Sequence, residues 1–469
     1  MNPFNEEEFL RDKARALSSG LFIRLDEFVN DFPGGAPGDL ITLVKSFLKE
    51  IDSQLDSTSN KKVLWGYFYL IEELSRSLDW LDNAHTAQTP RGLVQLLEEI
   101  ASTLHPDSKL LVAPTREINY SIIDLIPYYI ELAEDSLSAK SSHPLLASLP
   151  KQLYLVRFPR VERENILNHA TFGHEFGHPI ADEFIEAQEQ KPEYARRLER
   201  LAQSIQSDDD LKLELEEEGG DEVTRSKLLT GLVDQAREIY RRALEELASD
   251  CVGVCLFGPS ALFASLDSHL QSSLDEAPSD PEYYPPSRFR LRLMTQMVRD
   301  QGYIDAMTAM SLPPGLEDVR AAVLNLFRYL DGIAANTADE DSLQNDPLVR
   351  IAYDWVRETL SQAIQHAKDR LSSMCYSSSV AQSELPTLLE RIAVDVPPNE
   401  VGQWPKLRPA NWRSAILASW LTAITASSDT ARTAAERAKR IKTIQKLALK
   451  GIEYALLQRK YLNFKQHQG

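Results

Sequence analysis

His169-Ala170-Thr171-Phe172-Gly173-His174-Glu175-Phe176-Gly177-His178 is the stretch from which the rest of this chain is read. His174 and His178 are four residues apart, so on a helix they project from one face, one turn apart. Two imidazole nitrogens at that spacing can reach one zinc ion at about 2.0–2.1 Å. Glu175 is rotated away from the metal and toward a water bound to it. Zinc lowers the pKa of such a water towards about 7, and a nearby carboxylate takes its proton as the water attacks a carbonyl. The stretch therefore predicts a helix bearing a hydrolytic metal site, with His174 and His178 as ligands and Glu175 as general base. Pro179 follows directly. It removes the backbone donor to the Glu175 carbonyl and should kink the helix at that turn.

A third ligand is needed, and the helical pattern downstream offers Glu245-Glu246-Leu247-Ala248-Ser249-Asp250. Glu246 and Asp250 share one face. Glu246 would give a carboxylate oxygen to zinc, and Asp250 would accept the ring N–H of a ligand histidine and so fix its tautomer. Glu245 competes for the ligand role, but its partner one turn on is Ser249, a poorer support for a histidine. His169 lies off the ligand face and reads as structural. Cys251 and Cys255 follow at helical spacing and read as buried packing, since no second cysteine pair completes a zinc ribbon. Gly173 and Gly177 read as points of close packing or of substrate approach.

His174-Glu175-x-x-His178 with Glu246-x-x-x-Asp250 resembles the gluzincin metallopeptidases. Tyr284-Pro285-Pro286-Ser287-Arg288-Phe289-Arg290-Leu291 narrows the resemblance. It is similar to the His-Pro-Pro-x-x-x-Arg segment of the CAAX-protease and heat-shock-peptidase (HtpX-like) branch, with Tyr284 where that branch has histidine and Arg290 at its arginine. The resemblance spans about residues 150–300. It implies a zincin-like core, hydrolysis of peptide bonds, zinc as cofactor, and Tyr284 or Arg290 as stabiliser of the oxyanion. The branch has membrane helices around its motif, and this chain offers no apolar run of about 18 residues, so no membrane partner is expected.

Outside the motif the chain reads as mainly helical. Phe32-Pro33-Gly34-Gly35-Ala36-Pro37-Gly38 is a break, with Asp39 as the expected N-cap of a helix bearing Leu40, Leu43, Val44, Phe47 and Leu48 on one face. Helices are expected from Lys61 to about Trp80 and from Ile118 to about Asp135. Leu153–Phe158 is rich in β-formers and predicts a strand beside the cleft, in a small sheet of the catalytic portion. The acidic run Ser207–Glu222 reads as a solvated insertion or loop, the other reading being a specificity or regulatory element near the cleft. Helices follow from Val223 to about Leu266, and a proline-rich loop spans Pro281–Pro286. Beyond Arg288 the pattern is helical, with breaks near Ala334–Pro347 and Pro397–Pro409 and a last basic helix from about Thr430 to Phe464. The expected division is 1–145 (helical), 146–300 (metallopeptidase core) and 301–469 (helical).

Composition bounds the partners. The formal net charge is −19, which repels phosphate backbones and argues against nucleic acid. The N-terminus is acidic and lacks the layout of a secretion signal. Three cysteines make no disulfide framework and point to a reducing, cytoplasmic compartment. A peptide or protein substrate is expected, with a regulatory protein partner as a further expectation. The rival expectation is a helical interaction or sensing protein in which the zinc is structural.

Overall fold

The computed structural model describes residues 5–31, 35–58, 60–84, 89–137, 152–270, 274–275 and 283–468. The chain divides into two compact units, 1–164 and 165–469.

In the first unit, apolar residues at helical spacing build α1 (Glu6–Asp31), α2 (Gly35–Leu55), α3 (Lys61–Asn83) and α4 (Arg91–Leu104). Leu40, Leu43, Val44, Phe47 and Leu48 are all buried on α2, as their spacing predicts. Asp39 is not the N-cap of α2, because the helix already starts at Gly35. Pro37 is tolerated there because the first-turn N–H groups have no intrahelical acceptor. Asp39 instead pairs with Lys109 Nζ at 2.5 Å.

The strands β1 (Lys109–Thr115), β2 (Ser121–Asp124) and β3 (Leu153–Pro159) form one sheet in the order β1-β3-β2. β3 runs parallel to β1 and antiparallel to β2. The helix expected over Ile118–Asp135 is thus a strand followed by α5 (Leu125–Ser136). Ile122 and Ile123 pair with Val156 and Leu155, where β-branched side chains suit a pleated surface. Asp124 then caps α5, accepting from the Ile126 N–H at 2.9 Å. The expected strand at Leu153–Phe158 forms, but its sheet is built wholly inside the first unit, around a core that includes Leu111, Ala113, Leu153 and Leu155.

The second unit opens with a 3₁₀ turn over Asn168–Thr171. It continues through α6 (Phe172–Glu175), α7 (Gly177–Glu189), α8 (Pro192–Ser207), α9 (Asp209–Glu217), α10 (Glu222–Phe257) and α11 (Pro259–His269). Residues 283–286 are irregular and lead into α12 (Ser287–Asp300). Next come α13 (Tyr303–Ala309), α14 (Glu317–Ala335), α15 (Ala338–Gln344), α16 (Pro347–Arg370) and α17 (Ser378–Ala393). A two-stranded ladder, β4 (Glu400–Val401) with β5 (Arg408–Pro409), precedes α18 (Trp412–Ser428) and α19 (Ala434–Gln468).

The acidic run is a correction to the sequence reading. Residues Asp209–Glu217 form α9, capped by Asp208, which accepts from Asp210 N–H and Leu211 N–H. Leu211 and Leu215, one turn apart, are buried in the core of this unit. That core joins residues of α7–α10 to Leu343, Leu348, Tyr353, Trp355 and Val356 of α15 and α16, with Tyr240 stacked on Trp355 at 3.8 Å. The division into two units therefore differs from the expected three. β3 shares a sheet with the N-terminal unit, and the helices beyond residue 300 close the core around α10. The fold is mainly α with a small sheet. Among the described residues, no helix is long and apolar enough to cross a membrane.

Candidate metal centre

The two histidines sit on either side of a helix break. α6 ends at Glu175, Phe176 adopts a turn, and α7 restarts at Gly177. Pro179 has no N–H to give to the Glu175 carbonyl, so the regular ladder stops where the sequence places the kink. The break keeps the ligand face. The His174 and His178 rings lie 4.8 Å apart between centroids, at 85° to each other. One potential ligand atom from each of His174, Glu175 and His178 lies within 4.8 Å of the other two.

This broken helix crosses α10 in the opposite direction, at very short range. A Cβ on Gly177 would stand 2.5 Å from Ser249 Cα, and one on Gly173 would stand 2.9 Å from Gly253 Cα. Both positions need glycine because backbone meets backbone there. As residue numbers rise along α6 and α7, their neighbours fall along α10. Asp250 consequently faces His174, and Glu245 faces His178.

The His174 side is a buried network of charge. Nδ1 lies 2.9 Å from Asp250 Oδ1, and Nε2 lies 3.3 Å from Glu246 Oε2. Arg290, from α12, donates to both Asp250 oxygens at 2.8 Å and lies 3.2 Å from Glu246 Oε2. Glu246 and Asp250 are 2% and 1% exposed. Burial alone would raise both carboxyls, but Arg290 and His174 override it. Glu246 is held at about 2, and Asp250 well below the usual carboxylate range. Burial would lower the His174 imidazole, but Asp250 and Glu246 hold it up at about 10. Both carboxylates therefore stay charged, neutralised by the Arg290 guanidinium and the His174 imidazolium. Burial raises the Glu175 carboxyl above its ordinary value, against the pull of the two histidines.

The His178 side is shallower. Its Nδ1 lies 2.7 Å from Glu245 Oε1, and Glu245 Oε2 accepts from Arg242 at 3.0 Å. The Arg242 guanidinium in turn lies 5.3 Å from the Tyr284 ring centroid. Tyr284 is 40% exposed. Each histidine thus has a carboxylate on Nδ1, the arrangement that fixes ring orientation in metal sites.

Comparison of the chain with family models, with curated proteins and with solved structures gives no match in any of the three. What the centre can do is therefore read from its own residues. His174, Glu175 and His178 come together as the sequence predicts, and Asp250 stands on His174. Glu246 touches His174 but lies outside the His174–Glu175–His178 group and is ion-paired with Arg290. Arg290 braces the two acids, and Tyr284 reaches the site through Arg242. His169 is buried, its ring 6.0 Å from Phe172.

Glu245 is the residue that sequence reasoning misplaced, as a competing ligand with a weak partner at Ser249. The signal for its role was the pair of small residues, four apart, on each helix. Gly173 and Gly177 against Ser249 and Gly253 mark a close antiparallel crossing, and that crossing puts Glu245 one turn down from Asp250, opposite the second histidine.

Proposed function

We propose that this chain is a zinc metalloendopeptidase of the gluzincin type, with zinc held by His174, His178 and Glu246. The observation that carries the reading is that both histidines have Nδ1 anchored on a carboxylate while Glu175, half-buried, brings a third carboxylate within 4.8 Å of both. Two imidazoles and a carboxylate suit zinc. The resemblance to the HtpX-like branch in the three motifs supports the same reading.

When bound, zinc would polarise the scissile carbonyl and lower the pKa of the attacking water towards about 7. The remaining chemistry belongs to the chain. Glu175, its basicity raised by burial, accepts the proton of the water and returns it to the leaving amine. Asp250 and Glu245 hold the histidine tautomers. The guanidinium of Arg290 faces Asp250 and Glu246, so it positions the acids, and Tyr284 is the better donor to the oxyanion. The substrate is a peptide or protein. The reading as a cytoplasmic protein rests on the sparse cysteines.

Glu175→Gln should lower peptide cleavage by about 10²–10⁴-fold while the protein keeps its zinc. Cleavage at the wild-type rate in that variant would remove the mechanism. A second reading, a metal site without turnover in a helical interaction protein, is favoured by one observation. Glu246, the third ligand, is already engaged by Arg290 at 3.2 Å.

A further inference from the structure

Outside the metal centre, the chain brings two of its three cysteines together from positions 120 residues apart. Cys255 is buried in the last turn of α10, and Cys375 is exposed on the turn after α16. Their thiols are near enough that each shifts the ionisation of the other. The backbone holds them side by side, since the Tyr376 N–H donates to the Cys255 carbonyl at 2.8 Å. Tyr376 is pinned in turn. Its carbonyl accepts from the Tyr303 hydroxyl at 2.6 Å, and its own hydroxyl lies 2.9 Å from Ser414 Oγ. Arg413 Nε donates to the carbonyl of Leu256 at 2.6 Å, which fixes a guanidinium beside this pair.

We infer that Cys255 and Cys375 are a peroxide-sensitive thiol pair that closes to a reversible intramolecular disulfide. Two cysteines whose backbones are tied by the Tyr376–Cys255 hydrogen bond need only side-chain rotation to approach bonding distance. The exposed Cys375 is the attacking group. The neighbouring Cys255 thiol, together with the charges of Arg413 and Lys368, holds it below the ordinary thiol range. Cys251, one turn before Cys255, is pushed up by burial and takes no part.

The Cys375 thiolate attacks one oxygen of hydrogen peroxide. The O–O bond breaks, hydroxide leaves and is protonated to water, and a sulfenic acid remains on Cys375. The Cys255 sulfur then attacks that sulfur. The S–S bond forms, the S–O bond breaks, and the hydroxyl departs as water with the Cys255 proton. Two thiols and one peroxide give one disulfide and two waters. The bond would tie the turn after α16 to α10, the helix that carries Glu245, Glu246 and Asp250. Cytosolic disulfides are of this transient, sensing kind.

The full-length reduced protein is treated with hydrogen peroxide, then alkylated in denaturant and mapped by peptide mass spectrometry without reduction. Alkylatable thiols should fall from three to one, a peptide joining Cys255 to Cys375 should appear, and dithiothreitol should restore all three. Cys375→Ser should keep both remaining thiols under the same treatment. The oxidised wild type should melt at a higher temperature than the reduced form, because the cross-link closes a long loop. Three thiols surviving, sulfinic or sulfonic acid on Cys375 with no cross-link, or a Cys251–Cys255 link would each overturn the inference.

Discussion

Glu245 and Asp250 do the same work on different histidines, each holding a ring by its Nδ1 and so fixing where its Nε2 points, which for His174 is toward Glu246. Glu245→Ala should weaken zinc binding roughly 10–100-fold, much as Asp250→Ala should. Competition against a chromophoric chelator measures this, and an unchanged affinity would reduce Glu245 to a surface partner of Arg242. The same residues set a pH window for the metal-free chain. His174 is raised from 6.5 to about 10, so its contribution to stability is full below about 6.5 and is lost as the pH climbs toward 10. Glu175, raised by burial, acts in the same direction. Glu246 is lowered from 4.5 to about 2, so its contribution is full above about 4.5 and fades as the pH falls toward 2. Melting temperature in a chelator should therefore pass through a maximum between about pH 4.5 and 6.5. Zinc should flatten the alkaline limb by taking the place of the His174 proton. A melting temperature that climbs steadily from pH 6 to 9 in chelator would contradict this electrostatic picture. His174, Glu175, His178 and Asp250 were legible because a four-residue spacing on a helix is a local fact. Glu245 was not, because its partner is chosen by how two helices cross.

At the scale of elements, that crossing is the feature on which the site depends. Gly177→Ala would force a methyl group to within 2.5 Å of the Ser249 backbone, and overpacking of this kind costs about 1–3 kcal/mol. Gly231 is a control on the same α10, exposed and with nothing within 4 Å of an added Cβ. There alanine should stabilise by about 0.5–1 kcal/mol, because it removes backbone entropy from the unfolded chain. Chemical denaturation of the two variants measures both signs. Equal stabilities would show that α7 and α10 are not in backbone contact. The elements that the sequence misread share a cause. α9 was hidden because acidic residues outnumber the two leucines, one turn apart, that decide it. β2 was hidden because four residues become a strand only when β3 lies alongside. The helix break at Phe176 was legible because proline states its own constraint.

On the scale of the whole molecule, the mainly helical class followed from apolar spacing along most of the chain, while the division into two units did not. The strand at Leu153–Pro159 stands next to the motif in sequence but joins a sheet with β1 and β2. The helices beyond residue 300 read as a separate region, yet Tyr353 and Trp355 complete the core around α10. Long-range pairing of this kind leaves no local periodicity to read. All the residues assigned to the metal centre lie within the second unit. The most direct test of the central claim is the metal content of the purified, full-length protein by elemental analysis, beside Glu175→Gln and a His174→Ala, His178→Ala double variant. One zinc per chain in the wild type and in Glu175→Gln, with none in the double variant, is the expected result. A wild-type chain that holds no zinc after equilibration with the ion, or a double variant that holds it equally well, would contradict the account.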